Sequence, residues 1–150
     1  MSDEFIHSAL ILHAALTLFL TGVIWFVQIV HYPLMDRVSE DFPAFQKAHA
    51  DRTTIVVMVP MLIELGTAIL LIWQKPLGIS AWMMWFGLGL IIVIWLSTFL
   101  LQVPNHEILS KGFNEIAHRR LVTTNWIRTV AWSIRSILVV WLVWLALGNG

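Results

Sequence analysis

The sequence predicts an all-α polytopic membrane protein, a four-transmembrane-helix up-down bundle built from two parallel-repeat hairpins. Three observations predict it. Hydrophobic residues make up 59% of the 150-residue chain and charged residues only 12%, with a mean hydropathy of +0.81, well outside the balance of a soluble globular domain. Four apolar runs, at about 9–30, 53–73, 81–101 and 126–147, are each long enough to cross a hydrocarbon core of about 30 Å at about 1.5 Å per residue. A pattern occurs twice: Trp25, Gln28, His31-Tyr32-Pro33, then Phe42, His49, Arg52 and Thr53-Thr54; later Trp95, Gln102-Val103-Pro104, then Phe113, His118, Arg120 and Thr123-Thr124. In each copy an apolar helix is expected to end at the proline and a histidine to open the next helix.

The first run, Ala9 to Val30, carries no Asp, Glu, Lys or Arg. The chain begins Met1-Ser2-Asp3-Glu4-Phe5, acidic where a secretory signal is basic, so the first span is expected to be retained. The second run holds one such residue, Glu64, the third none, and the fourth Arg128 and Arg135. Between the hairpins, Gln74-Lys75-Pro76-Leu77-Gly78 reads as a tight turn. Residues 1–150 are thus expected to form one domain, with the two hairpins related by an axis along the membrane normal. Arg37, Lys47 and Arg52 in one connector, and Lys111, Arg119 and Arg120 in the other, face Lys75 alone on the opposite side. The positive-inside rule then places connectors 31–52 and 102–120 in the cytoplasm and both termini outside a bacterial-type inner membrane. Zero net charge gives no reason to expect a nucleic-acid partner, and the absence of cysteine excludes disulfides and thiolate ligands.

Helical phase at about 100° per residue gathers the polar side chains into stripes. His13, Thr17, Thr21, Gln28 and His31 share one face; so do His49, Thr53, Pro60, Glu64 and Thr67, and so do His118, Asn125, Arg128, Arg135 and Ser136. Polar groups facing lipid are expensive, so these stripes are expected to face inward. Trp73, Trp82, Trp85, Trp141 and Trp144 fall toward span ends and suit the headgroup boundary, whereas Trp25, Trp95, Trp126 and Trp132 lie near the stripes and suit a cavity wall.

Depth along the helices separates two polar layers: Gln28, Asn125 and Arg128 within about 15 Å of the connector end, and His13, Glu64 and Arg135 at about 22–27 Å. In the deeper layer Glu64 and Arg135 match as an interhelical ion pair. The alternative there is a proton-handling Glu64 and His13. Nearer the connectors, His31, His49 and His118 stand at helix ends with His106 close by. Imidazoles suit iron, copper and zinc, so these four are candidate metal ligands, against a bland reading as interface residues. Arg128 needs an anion inside the bundle: Glu64, Asp36, Glu107, or an acidic or enolate substrate that Asn125 helps to hold.

The segments Gln102-Val103-Pro104-Asn105-His106-Glu107 and Thr124-Asn125-Trp126-Ile127-Arg128-Thr129 resemble the second-half signature of the anthrone-oxygenase-like four-helix membrane proteins. In that family an amide-Val-Pro segment ends the third helix and an Asn-x-x-Arg-Thr segment opens the fourth. The resemblance implies oxidation of an aromatic anthrone to a quinone, with Gln102, Asn105, Asn125 and Arg128 lining the site. The four histidines depart from the family pattern and favour a bound metal, or haem with an axial imidazole and an arginine for its propionates.

The expected function is therefore a membrane-embedded oxidoreductase, an oxygenase acting on a lipophilic or aromatic small molecule, with the lipid bilayer as its surroundings. Competing expectations are an ion or small-molecule carrier, which would need a homo-oligomer to enclose a pathway, and a structural membrane subunit.

Overall fold

Four helices long and apolar enough to span a membrane run Asp3–Arg37, Phe42–Gln74, Ala81–Leu109 and Glu115–Gly148 in the computed structural model, which describes residues 2–38, 40–76 and 78–148. Leu77 of the expected turn, like Met1, Ser39, Asn149 and Gly150, lies outside the described residues. The chain is an all-α four-helix bundle, with no strand among the described residues. The first span is α1 (Asp3–Phe26), a π-helical turn (Val27–His31), α2 (Tyr32–Leu34) and a 3-10 turn (Met35–Arg37). The second is α3 (Phe42–Gln74). The third is α4 (Ala81–Ser97), a π-helical turn (Thr98–Gln102) and α5 (Val103–Leu109); the fourth is α6 (Glu115–Gly148). Neighbours in sequence pack together, α1 also packs along α6, and the contact between α3 and α4 is the sparsest of these four.

Two expectations about element ends are corrected. The first and third spans do not end at Pro33 and Pro104 but pass them. Proline lacks an N–H and crowds the carbonyl four residues back; one turn earlier the helix widens, so that the N–H groups of Tyr32 and Val103 reach back five residues, to the carbonyls of Val27 and Thr98. The same device at the same place in both hairpins is the strongest structural sign of the repeat. The second and fourth helices also begin well before their apolar runs. Asp41, at φ 42 in the left-handed region that Asp tolerates, accepts from the Ala44 N–H at 3.3 Å, and Asn114 Oδ1 accepts from the Ala117 N–H at 2.9 Å. With 33 and 34 residues, α3 and α6 are about 50 Å long and project beyond the hydrocarbon.

These caps also revise the pairing inside the repeat. His49 follows Asp41 by eight positions, whereas His118 follows Asn114 by four. The two histidines are therefore not equivalent; His118 corresponds to Phe45.

Apolar and polar layers alternate along the bundle. At the terminal end Leu10, Leu71, Ile79, Met83 and Leu142 form one core; Leu20, Ile24, Met61, Ile94 and Trp132 form a second at mid-depth; Tyr32, Met35, Phe42, Leu109 and Leu121 form a third at the connector end. Outward faces are apolar, and Trp73, Trp82, Trp85, Trp141 and Trp144 are all exposed on them.

Between the first two cores lies the deep polar layer, built around Arg135. Its Nη2 and Nε donate to Glu64 Oε1, its Nη1 donates to the Gly87 carbonyl, and its Nη2 donates to His13 Nε2 at 3.0 Å. Thr17 Oγ1 adds a donor to Glu64 at 2.8 Å. Because a guanidinium only donates, His13 Nε2 must accept, leaving Nδ1–H to donate to Thr67 Oγ1 at 2.8 Å. Gly87 keeps this approach close: a Cβ would stand 3.2 Å from Leu138 Cδ2, a tight contact, and 3.5 Å from Arg135 Nη1. No atom of this layer is buried without a partner.

Removing one member of this pair leaves the other charge buried and alone, which costs about 3–5 kcal/mol, whereas replacing both with apolar residues restores packing. In thermal unfolding of detergent-solubilised protein, Glu64→Met is expected to lower stability by about that amount and Glu64→Met with Arg135→Met to recover most of it.

Candidate functional site

The second polar layer, nearer the connectors, is built differently. Gln28, carried by the first π-helical turn, accepts at Oε1 from Asn125 Nδ2 at 2.8 Å and donates from Nε2 to the Val122 carbonyl at 3.2 Å. Asn125 in turn accepts at Oδ1 from Arg128 Nη1 at 3.3 Å. Arg128 is 9% exposed, its Nε is buried without a partner, and no carboxylate among the described residues pairs with it. The three carboxylates expected as candidates are elsewhere: Glu64 holds Arg135, Asp36 lies 3.6 Å from Arg37, and Glu107 stands exposed at the rim. A buried cation without an anion is a rare and costly arrangement.

Arg128 borders a cavity of about 340 Å³ at the sparsely packed junction of the second and third spans. Val57, Met58 and Met61 supply one wall and Trp95, Phe99 and Gln102 the other; Tyr32 and Arg128 close it from behind, and His49, His106 and Glu107 lie toward the connectors. Thr54, Phe99 and Val103 are lining residues that are also exposed on the bundle surface, so the cavity opens sideways. Its volume and mainly apolar lining fit a small organic molecule. Buried polar atoms without partners gather around this layer: Trp95 Nε1, Gln102 Oε1, Gln46 Oε1 and His31 Nε2, besides Arg128 Nε. Buried polar groups take a partner from protein, ordered water or a bound ion or molecule, and these five have none from the protein.

The expected site residues divide. His31 and His49 stack at 4.2 Å between ring centroids, with planes at 24°, and His49 lies 5.4 Å from His106. His106 has both nitrogens engaged, Nε2 with the Tyr32 hydroxyl at 3.0 Å and Nδ1 with Gln46 Nε2 at 2.6 Å. His49 Nδ1 meets Thr53 Oγ1 at 3.1 Å. His118 stands apart, donating from Nε2 to the Tyr32 carbonyl at 2.8 Å and packing on Phe113. Among the described residues no three His, Asp or Glu side chains are placed to hold a metal ion. The rings of His31 and His49 lie in nearly parallel planes, both nitrogens of His106 are engaged and His118 is turned to the Tyr32 carbonyl, so the four imidazoles as arranged do not fit a shared metal.

Gln102 lines the cavity and ties its Nε2 to Thr124 Oγ1 at 3.0 Å. Asn105 donates to the Leu101 carbonyl at 2.6 Å, steadying the helix beside Pro104. Asn125 stands behind Arg128 as its support. His13 and Glu64 belong to the deep layer. Of the four tryptophans expected near the stripes, Trp95 walls the cavity, Trp132 is buried in the core, and Trp25 and Trp126 pack edge to face. Two residues that had been given no role are central: Tyr32, the chain's single tyrosine, whose hydroxyl lies beside Arg128, and Gln46, which shares a helix face with His49 three positions on.

No family model, curated protein or solved structure matches the chain.

Arg128 and Arg135 are both buried, and their replacement separates the two layers. Arg128→Met is expected to raise thermal stability by about 1–3 kcal/mol, since it removes an unpaired buried cation; unfolding of the purified variant measures it, and a loss of comparable size contradicts the absence of a partner.

Proposed function

We propose that the chain is a membrane-embedded oxidoreductase of the oxygenase type, which binds a lipophilic aromatic small molecule in the cavity between the second and third spans and holds its oxyanion at Arg128. The observation that carries this reading is the buried Arg128 without a carboxylate, bordering an apolar cavity that opens sideways. With the connectors in the cytoplasm, as the basic residues predict, the cavity lies in the cytoplasmic leaflet, within reach of molecules dissolved in lipid.

The resemblance of Gln102-Val103-Pro104 and Asn125-x-x-Arg128-Thr129 to the anthrone-oxygenase-like proteins supplies the reaction class. An anthrone carries a methylene between two aromatic rings and opposite a ketone. Loss of one methylene proton gives an oxyanion spread over the rings, the charge that Arg128 is placed to stabilise. Dioxygen is the co-reactant: the two methylene C–H bonds and the O–O bond break, one oxygen becomes the new carbonyl, and the other leaves as water. Asn125 and Gln28 hold Arg128 in place, and the apolar walls seat the rings.

His31 Nε2, buried and unpartnered, favours a second reading in which His31 and His49 contribute to a site for iron, copper or zinc, or bind haem. This reading requires the stacked His31 and His49 rings to part and turn toward one point, and His106 to give up a bond to Tyr32 or Gln46. Elemental analysis and an absorption spectrum of the purified protein separate the readings. Stoichiometric metal lost in His31→Ala and His49→Ala supports a histidine site, and a Soret band supports haem.

The leading reading is tested by oxygen consumption with an anthrone supplied in lipid nanodiscs. Arg128→Gln is expected to lower turnover by about 10²-fold, the usual effect of removing one oxyanion donor; unchanged turnover, or none in the unaltered protein, removes it.

A further inference from the structure

We propose that the ligand is a weak acid, a phenol or an enol, that enters neutral from the bilayer and is ionised in the cavity by passing its proton through Tyr32 to His106. This rests on the reading of the cavity as an anion site, and it names the chemical class of the anion and the residues that create it.

The way in is apolar. Val57, Met58, Met61 and Phe99 line the cavity, and Thr54, Phe99 and Val103 lie where it opens. A permanently charged molecule would have to shed its water to pass them, whereas a neutral acid partitions freely. Yet Arg128 at the back of the cavity is a fixed cation with no anion of its own. A ligand that arrives neutral and ends as an anion satisfies both conditions, provided that an acceptor stands beside Arg128 to take its proton.

Tyr32 and His106 form that acceptor. The Tyr32 hydroxyl lies beside the Arg128 guanidinium and 3.0 Å from His106 Nε2. Beyond His106, Gln46 Nε2 meets Nδ1 at 2.6 Å while Gln46 Oε1 is buried without a partner. In this orientation the amide donates, so Nδ1 accepts and Nε2 carries the ring's proton. Half a turn of the amide offers Oε1 to the same nitrogen, which suits a protonated Nδ1 and gives Oε1 its missing partner. Gln46 can thus support His106 in either tautomer and in the doubly protonated form. It is a positioning residue, and Tyr32 and His106 move the proton.

The groups facing Tyr32 do not compete for that role. His31 of the first span and His49 of the second stand 6.1 and 6.2 Å from its ring, and His106 of the third 5.7 Å. Arg128 of the fourth lies beside its hydroxyl, and Glu107 stands at the exposed rim. Glu64 is the one buried carboxylate among the described residues, and Arg135 holds it. The step starts from the turned amide, with Gln46 Oε1 on Nδ1–H and Nε2 free to accept: the ligand O–H bond breaks, its proton joins Tyr32 Oη, and the proton of Tyr32 passes to His106 Nε2, which leaves the ring doubly protonated. The electron pair stays on the ligand oxygen, facing Arg128.

The test uses the full chain in nanodiscs and three coloured probes of similar size: a hydroxyanthraquinone, whose spectrum shifts on ionisation, its O-methyl ether, and an anthraquinone sulfonate, which is always charged. The bound phenol is expected to show the ionised spectrum about one pH unit or more below its ionisation in empty nanodiscs, and the ether is expected to bind about tenfold more weakly or not at all. Tyr32→Phe and His106→Asn return the bound phenol to its neutral spectrum. Gln46→Glu, a standing acceptor for Nδ1–H, raises the ionised fraction, a gain that a misfolded variant cannot produce. A phenol bound in its neutral form, or an ether bound as tightly as the phenol, overturns this proposal; the anion reading survives either result if the sulfonate still binds in a manner abolished by Arg128→Gln. If neither phenol nor sulfonate binding depends on Arg128, the anion reading falls and this proposal with it.

Discussion

The Arg135 guanidinium holds a carboxylate from α3, an imidazole from α1 and a backbone carbonyl from α4 at once, from its own place on α6. One side chain thereby touches all four spans. Inside a bilayer apolar side chains gain little from meeting each other rather than lipid, so helix association relies on close packing and hydrogen bonds. The bundle's register depends on this contact: Gly87 opens the approach of α4 to α6, and Thr17 and Thr67 position the carboxylate and the imidazole. Sliding α3 or α6 by one turn would part Glu64 from Arg135 and leave each charge alone in hydrocarbon, and sliding α1 or α4 would take the His13 imidazole or the Gly87 carbonyl from the guanidinium.

That fully satisfied layer gives meaning to the unsatisfied one. Both contain a buried arginine on α6, seven residues apart and on nearly the same face. Arg135 has a carboxylate, an imidazole and a carbonyl; Arg128 has one long bond to Asn125 and the neighbouring Tyr32 hydroxyl. The same sequence therefore completes one network and leaves the other open toward a cavity. A scaffold that can afford an unpaired cation in one layer is one that is fastened elsewhere, as the deep layer is.

The deep layer was legible because the helices that carry it are regular. From His13 to Thr17 on α1, and at Glu64 and Arg135, a constant angle per residue gives the right face, and opposite charge at equal depth gives the partner. The connector layer was less legible for two physical reasons. The π-helical turns insert a residue's worth of rotation before Pro33 and Pro104, so the phase carried from α1 and α4 no longer holds at His31 or beyond Gln102. The second helix also begins at Phe42, eleven positions before its apolar run, because Asp41 caps it and Pro43 suits its first turn. Those residues are visible in the sequence, and weighting them over hydropathy would have put Gln46 on a helix facing inward beside His49. Tyr32 falls within the repeated motif, where nothing in the spacing marks its chemistry; its place between Arg128 and His106 depends on the helix continuing past Pro33.

The sideways mouth of the cavity changes what concentration means for this protein. A site that fills from lipid responds to the amount of ligand per unit of membrane, not per volume of water, and partitioning multiplies any affinity the cavity itself provides. For a ligand of the proposed kind the bilayer is the first stage of selection: hydrophilic acids stay in water, and amphiphilic ones align with their polar groups toward the headgroups. Diluting the same membrane in more buffer would leave a strongly partitioning ligand nearly as well bound, whereas adding empty lipid would draw it away.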